Sequence, residues 1–214
     1  MKNKYNEQLI EEFDRQVEHL IQVKYFKFAN MTVEKFSALL TPLREQLINM
    51  DQIPEGHIPF VIVIKSSVVP PEKVMPLVII KGMQGEVRMT PLVPKDFAPI
   101  DNLNIPKSEA YLLIDIDTEQ KTLNVTPHDA LEIFYKENRF PLTIDEGVAL
   151  TLQFPEVLVD KKKYNCFSVL GSRRNDQRVP AFWISYKKPR LGWCWDNNPH
   201  TWLGSASCRN RIGV

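Results

Sequence analysis

Prolines divide this chain into segments of different kinds. Nine of the sixteen prolines lie between residues 54 and 106, at spacings that leave no room for a long helix, because proline lacks a backbone donor and clashes with the preceding helical turn. Between them lie apolar runs rich in β-branched residues, at 60–64, 77–80 and 86–89. We interpret these runs as strands. The first two do not alternate with polar residues, which predicts burial on both faces.

The first fifty residues show helical periodicity instead. Apolar residues recur every three or four positions over residues 5–24, which predicts an amphipathic helix. A second helix is expected to begin near Thr32. Thr41 followed by Pro42 resembles an N-cap with proline at the first helical position, and therefore predicts a separate third helix. Residues 1–50 are thus predicted to form a helical layer.

The rest of the chain mixes both patterns. Thr126 and Thr143 are each followed three residues later by an acidic residue, which predicts the N-caps of two helices, at 127–138 and 144–153. A polar turn at 171–178 separates two β-prone runs and predicts an antiparallel pair. The strands predicted in this part of the chain are 111–116, 122–125, 166–170, 181–186 and 191–195, with a loop from 196 onward.

These elements predict an α+β fold in one domain covering residues 1–214. An N-terminal helical layer packs on a mixed, mainly antiparallel sheet, and two further helices follow. The sequence shows no internal repeat and no boundary sharp enough to divide the chain.

Several features indicate the class of protein. The first residues alternate charged and apolar side chains, unlike a secretory signal peptide. The longest apolar runs are too short to cross a bilayer. The three cysteines are odd in number and unevenly spaced, which favours reduced thiols. We therefore expect a cytoplasmic protein that does not enter a membrane.

The net charge of +1 hides an asymmetry. Residues 160–214 carry a formal charge of +8, whereas residues 1–159 carry −7. A basic segment attached to an acidic body can form a surface for anions such as phosphates. The alternative is that the two parts pack together and neutralise each other.

All four tryptophans lie within residues 183–202. Trp193 and Trp195 are expected to share one face of a strand. Flat rings with cationic neighbours can stack against a base or a sugar and hold a phosphate, although tryptophans also commonly complete a core. The candidate ligand contacts are Arg173, Arg174, Trp193, Trp195, His200 and Trp202.

Two catalytic alternatives remain open. Cys194 and His200 could act as nucleophile and base, and Asp115 and Asp117 at a strand end could bind Mg²⁺ or Ca²⁺. However, the Cys and His spacing matches no tight metal-ligand pair, and no glycine-rich phosphate-binding loop is present. We therefore expect no resident metal or cofactor, and the sequence leaves open whether the protein is an enzyme.

Several stretches together resemble a known family. They are YLLIDID (111–117), LNVTPHDAL (123–131), PLTIDEGVAL (141–150), FSVLGSRR, RVPAFWIS and LGWCWDNNPHTWLGSAS. The pattern is similar to an uncharacterised bacterial family, a domain of unknown function, over residues 55–208. The resemblance implies a shared fold and carries over no activity and no catalytic residue.

The sequence predicts a non-enzymatic protein that binds a small anionic or nucleotide-like ligand through its Trp- and Arg-rich C-terminal segment. The alternatives are the two enzymatic sites above and binding of single-stranded nucleic acid. The near-neutral charge of the whole chain and the absence of an RNA-binding signature disfavour nucleic acid. The sequence does not indicate an oligomeric state.

Overall fold

A computed structural model describes residues 2–48, 50–118, 120–159, 166–200 and 203–214. The described helices are α1 (Lys2–Gln22), α2 (Tyr25–Phe28), α3 (Val33–Glu45), α4 (Pro71–Val74), α5 (Pro127–Lys136) and α6 (Ile144–Gln153). Short 3-10 helices lie at Met75–Leu77, Pro94–Asp96, Gln120–Thr122 and Pro155–Leu158.

The described strands form two main sheets and three short pairs. The strands are β1 (Ile58–Ile64), β2 (Ile79–Ile80), β3 (Met83–Gln84), β4 (Glu86–Val87), β5 (Ala98–Pro99), β6 (Ala110–Ile116), β7 (Phe140–Pro141), β8 (Cys166–Ser168), β9 (Ser172–Arg173), β10 (Arg178–Ser185), β11 (Lys188–Trp195), β12 (Gly204–Ser205), β13 (Ser207–Cys208) and β14 (Asn210–Ile212). The sheets have the orders β1-β6-β14 and β12-β8-β10-β11-β4, and the pairs are β13-β7, β2-β3 and β5-β9.

The three-stranded sheet forms the centre of the core. β6 pairs antiparallel with β1 on one side and with β14 on the other. Helices α1, α3 and α6 all contact this sheet, which explains why β1 and β6 are apolar without alternation. One such contact joins the rings of Phe13 in α1 and Phe60 in β1, whose centroids are 6.4 Å apart.

The five-stranded sheet lies between α6 and α5. On one face Phe182 stacks on Phe167 with ring centroids 5.2 Å apart. A Cβ at Gly147 of α6 would lie 2.3 Å from the Phe182 ring, so glycine allows this close approach. On the other face Val179 packs in a cluster with Phe134 of α5.

The structure confirms the α+β fold, its N-terminal helical layer and the two later helices. Thr126 Oγ1 accepts a hydrogen bond from the backbone amide of Asp129 at 3.1 Å, as an N-cap should. Thr143 Oγ1 accepts from the amide of Glu146 at 3.4 Å, and Glu146 Oε2 accepts from the amide of Thr143 at 2.7 Å. The second helix therefore begins with the capping box that its sequence predicts.

The predicted helix boundary at Thr41 and Pro42 is wrong, because α3 continues through both residues. The Thr41 hydroxyl donates to the carbonyl of Ser37 at 2.8 Å instead of capping a new helix. The apolar stripe of α3 runs past the proline, from Phe36 to Leu43, and is buried along its length. Burial of this stripe outweighs the single helical hydrogen bond that Pro42 removes.

Two strand predictions and one loop prediction also need correction. Of residues 77–80 only Ile79 and Ile80 form a strand, and Ile79 is 54% exposed rather than buried. Residues 122–125 form no strand, because a 3-10 helix and a turn precede α5. The predicted loop from 196 onward contains β12, β13 and β14. Strands of two or three residues are too short to show a hydrophobic periodicity in the sequence. Their formation depends instead on pairing with distant parts of the chain.

None of the helices that the structure describes combines the length and the apolar character needed to span a membrane.

Candidate functional site

A cleft with a volume of about 690 Å³ opens beside the first turn of α6. We call it the lysine cleft. It is lined by Lys65, Ser66, Ser67, Pro70, Pro71, Glu72, Pro94, Lys95, Phe97, Pro99, Ile105, Pro106, Lys107, Tyr111, Thr143, Ile144, Asp145 and Ser172. These residues come from the segment after β1, the irregular connection before β6, the start of β6, the start of α6 and β9. The cleft volume lies within the range of about 300–1,000 Å³ that is usual for small-molecule sites.

Three lysines give the cleft a positive character. Lys95 and Lys107 form no ion pair with any residue that the structure describes. The Lys65 ammonium donates to the carbonyl oxygen of Pro106. The acidic lining residues are Glu72 and Asp145, so the lysines outnumber them.

Asp145 is the cleft carboxyl with a perturbed pKa. Burial raises the pKa of Asp145 above its ordinary value, although two hydrogen bonds from Ser66 act in the opposite direction. These bonds come from the Ser66 amide at 2.9 Å and the Ser66 hydroxyl at 3.0 Å, and both end on Oδ2. They fix the carboxyl at the rim of the cleft. A raised pKa means that the group accepts a proton more readily than an exposed aspartate.

The walls of the cleft are apolar and stiff. Besides Phe97, Ile105 and Ile144, the lining includes Pro70, Pro71, Pro94, Pro99 and Pro106. Each proline fixes its own backbone φ angle, so these walls change shape less readily than ordinary loops. No motif in the sequence indicated this cleft.

The Trp- and Arg-rich segment forms a second feature. Trp193 and Trp195 lie on the same side of β11, with ring centroids 5.1 Å apart and planes at 76°. The Arg178 guanidinium lies 4.7 Å from the Trp193 ring centroid and 5.0 Å from that of Trp195. Arg178 pairs with Trp195 in the β10–β11 register, which places its side chain next to both indole rings.

The two arginines that the sequence predicts as ligand contacts, Arg173 and Arg174, pair with aspartates. Arg173 Nη1 lies 2.7 Å from Asp196 Oδ1. Arg174 Nε and Arg178 Nη1 each lie 2.7 Å from Asp176 Oδ2. The structure therefore places Arg178 against the rings, whereas Arg173 and Arg174 are engaged in ion pairs, and Arg174 shares Asp176 with Arg178. The register of the two strands is the signal that could have selected Arg178.

A smaller pocket of about 250 Å³ lies beside the tryptophans. We call it the indole pocket. It is lined by Ala181, Trp183, Trp193, Cys194, Trp195, Asn198, His200 and Leu203. Three of the predicted ligand contacts, Trp193, Trp195 and His200, thus share one pocket. Trp202 lies outside the described residues.

Cys194 has the environment of an unreactive thiol. Burial raises the pKa of Cys194 above its ordinary value, and its Sγ lies 3.6 Å from Ser168 Oγ. His200 lines the same pocket, and burial lowers its pKa. Because the thiolate is the nucleophilic form, this environment disfavours the Cys194 and His200 enzyme hypothesis.

Asp115 and Asp117 meet a histidine that the sequence analysis did not select. His57 Nδ1 lies 2.5 Å from Asp115 Oδ1, and His57 Nε2 lies 3.1 Å from Asp117 Oδ2. Arg139 Nη1 lies 3.2 Å from Asp115 Oδ2. Asp115 therefore faces the Arg139 guanidinium, and both carboxylates contact the His57 ring, an arrangement that disfavours a metal ion.

The described residues contain no cluster of three or more His, Cys, Asp or Glu side chains suited to holding a metal.

The fold is that of an α+β protein with helices packed on its two main sheets, and it carries the lysine cleft and the indole pocket. The chain belongs to the family described as "Family of unknown function (DUF5701)", whose model matches residues 19–214. The match confirms the resemblance to a domain of unknown function, and it includes every residue that lines the lysine cleft or the indole pocket. No curated protein and no solved structure matches the chain.

Proposed function

We propose that this protein binds a small organic anion in the lysine cleft. The observation that carries the proposal is the pair of lysines, Lys95 and Lys107, which line the cleft without an ion pair in the described part of the chain. A negatively charged group bound in the cleft would give both ammonium groups an ionic partner. Charge-assisted hydrogen bonds of this kind are about twice as strong as neutral ones.

The shape of the cleft supports an organic ligand rather than a bare inorganic ion. Its volume of about 690 Å³ far exceeds the space that one phosphate occupies, and its walls are mostly proline and other apolar side chains. Pockets that bind organic molecules combine apolar walls with a few polar groups that fix orientation. Ser67 and Ser172 add hydroxyl groups to this lining.

The ligand class is the one that the sequence predicts, but the proposed position is different. Arg173 and Arg174 of the C-terminal segment already have carboxylate partners at 2.7 Å. An anion binding there would have to compete with Asp196 and Asp176. The same pairing weakens the nucleic-acid hypothesis, because a continuous strip of available cations is the usual footprint for a phosphate backbone.

Calorimetric titration and thermal shift with a panel of phosphorylated and carboxylated metabolites would test the proposal. The test variant is Lys95→Ala with Lys107→Ala. The matched control is Lys27→Ala with Lys35→Ala, which removes two positive charges from the N-terminal helices. We expect at least one anion to bind, with an affinity that falls about tenfold or more in the test variant and weakens as salt rises.

Three results would overturn the proposal. The first is that no anion in the panel binds. The second is an equal loss of affinity in both lysine variants, which would indicate a general charge effect. The third is binding that survives in the Lys95 and Lys107 variant but disappears on Arg173→Ala with Arg174→Ala, which would place the ligand in the C-terminal segment.

A further inference from the structure

We infer that the indole pocket is a separate binding site for an uncharged planar nitrogen heterocycle of nucleobase size. The pocket shares no lining residue with the lysine cleft. It therefore does not depend on the anion site proposed above. The inference rests on the fixed position of its rings, the chemistry of its lining and its size.

The first ring is held flat against a strand. A Cβ on Gly192 would lie 2.1 Å from Trp183 Cη2 and 2.8 Å from Cζ3. Any residue other than glycine would therefore force the indole away from β11. Trp183 also lines the pocket, so the ring offers a supported surface on which a second flat ring can stack.

The other two rings are positioned by the protein itself. Trp193 Nε1 donates to the carbonyl oxygen of Met89 at 3.1 Å. The Arg178 guanidinium lies 4.7 Å from the Trp193 centroid and 5.0 Å from the Trp195 centroid. Cation–π contact and the edge-to-face arrangement hold both indoles before any ligand arrives. These two side chains project from the opposite face of β11 to Trp183, because their register partners are Pro180 and Arg178. The preformed stacking surface of the pocket is therefore the Trp183 ring.

The lining residues favour a ligand without charge. Among the described residues that line the pocket there is no Lys, Arg, Asp or Glu. Burial lowers the pKa of His200, which favours its neutral imidazole. None of these lining side chains offers an ionised ligand an opposite charge, so its loss of hydration in the pocket would be costly.

Two polar side chains supply hydrogen bonds at one edge of the pocket. Asn198 Nδ2 lies 3.4 Å from His200 Nε2, so the two groups are neighbours. The backbone carbonyl of His200 accepts from the Asn124 amide at 2.9 Å, which anchors this loop. A carboxamide offers both donors and an acceptor, as the edge of a nucleobase does. A sugar, with hydroxyl groups all around its ring, would need more polar partners than these.

The volume of the indole pocket and the exposure of Trp195 also favour a small planar ligand. The volume of about 250 Å³ lies below the range of about 300–1,000 Å³ for drug-sized ligands. One or two fused rings fit this volume better than a whole nucleotide does. Trp195 is 45% exposed, and a planar ligand would cover part of this large apolar surface.

The test titrates adenosine, guanosine, cytidine and uridine into the full chain, followed by calorimetry and by tryptophan fluorescence. Glucose and galactose serve as the sugar arm. The main variant is Asn198→Ala, and its matched control is Asn197→Ala, an exposed neighbour that does not line the pocket. A second variant, Trp183→Ala, removes the stacking surface. If the Trp183→Ala protein does not fold, Asn198→Ala alone tests whether the pocket binds the nucleoside.

We expect at least one nucleoside to bind saturably and to quench tryptophan fluorescence. Asn198→Ala should weaken that binding about tenfold, whereas Asn197→Ala should leave it unchanged. The Lys95→Ala and Lys107→Ala protein should bind the nucleoside normally, which separates this site from the lysine cleft. The inference is overturned if no nucleoside binds, if the two asparagine variants behave alike, or if only the monosaccharides bind.

Discussion

Arg211 and Glu146 form a bidentate ion pair that is sealed inside the protein. Arg211 Nε lies 2.5 Å from Oε1 and Nη2 lies 2.9 Å from Oε2, and the two side chains are 1% and 0% exposed. The Tyr111 hydroxyl donates to the same carboxylate at 2.9 Å. Since Glu146 also closes the capping box of α6, the pair ties β14 to the first turn of the helix that borders the lysine cleft.

Replacing Arg211 with Met should destabilise the protein strongly. The change leaves the Glu146 carboxylate buried without its cation, and breaking such a pair costs about 3–5 kcal/mol. The measurement is the free energy of unfolding in urea. Arg209→Met is the control, because Arg209 is largely exposed and its loss should cost at most about 1 kcal/mol. Similar losses for both variants would mean that the buried pair has no special role.

Gln16 should be the most sensitive polar residue of α1. Its side-chain amide bridges the outer edge of β1, donating to the Phe60 carbonyl at 3.1 Å and accepting from the Ile62 amide at 2.9 Å. The residue is completely buried. Gln16→Leu leaves both strand groups without partners, and each buried unsatisfied group costs about 1–3 kcal/mol.

The control for that prediction is Gln8→Leu, an exposed position on the same helix. Thermal and urea unfolding should show a clear loss for Gln16→Leu and almost none for Gln8→Leu. A neutral Gln16→Leu substitution would indicate that added apolar burial replaces the lost bonds. Residue 16 precedes the part of the chain matched by the family model.

Local signals in the sequence predicted the elements whose formation depends on nearby residues. The Thr143 capping box and the apolar periodicity of α1 are examples, and the structure confirms both. Such signals work because a cap and its partner lie within one turn. The short strands of the C-terminal region escaped prediction, because β14 exists only through pairing with β6, about a hundred residues earlier.

In the candidate sites, too, local patterns were predictable from the sequence and long-range contacts were not. Strand alternation placed Trp193 and Trp195 together, and the structure brings them within 5.1 Å. The ion pair of Arg173 joins it to Asp196 on a separate segment, whereas Arg174 pairs with Asp176 only two residues away, and a count of net charge reveals neither pair. The lysine cleft combines segments from five parts of the chain, and no spacing within any one of them indicates a pocket.

The three cysteines should resist alkylation in the native protein. Burial raises the pKa of Cys166 and of Cys208 to about 12, and it raises that of Cys194 as well. At neutral pH the two most shifted thiols are therefore ionised about a thousandfold less than an ordinary cysteine. Mass spectrometry after iodoacetamide treatment should find little modification until urea is added. Rapid native modification of Cys194 would instead revive the enzyme hypothesis.

Lys187→Gly should stabilise the hairpin that carries the indole pocket. Tyr186 and Lys187 form the two-residue loop between β10 and β11, and both have positive φ angles, 50° and 65°. Such turns favour glycine, and the strain at a residue with a Cβ is about 1–2 kcal/mol. The variant should gain up to about 1 kcal/mol in unfolding free energy after the entropy cost of glycine.

Lys187→Ala is the matched control for the turn, since it removes the ammonium but keeps the Cβ. It should leave stability nearly unchanged in the same unfolding assay. Tyr186 is retained in both variants, because the Arg190 guanidinium lies 5.2 Å from its ring centroid. Equal gains for glycine and alanine would show that the lysine charge, and not the backbone, limits stability.

The charge state of the Asp145 carboxyl should affect both the stability of the protein and its affinity for anions. Its pKa is raised in the folded protein, mainly by burial, so the folded state holds the proton more tightly than the unfolded chain. This contribution to stability is complete below the ordinary carboxyl pKa and is lost as pH rises through the raised value. Asp145→Asn should therefore stabilise the protein at neutral pH, and the gain should shrink in acid. Asp145→Asn should also strengthen anion binding in the lysine cleft. The exposed control Asp101→Asn should change neither stability nor anion binding. An Asp145→Asn protein that is less stable at neutral pH would contradict the prediction.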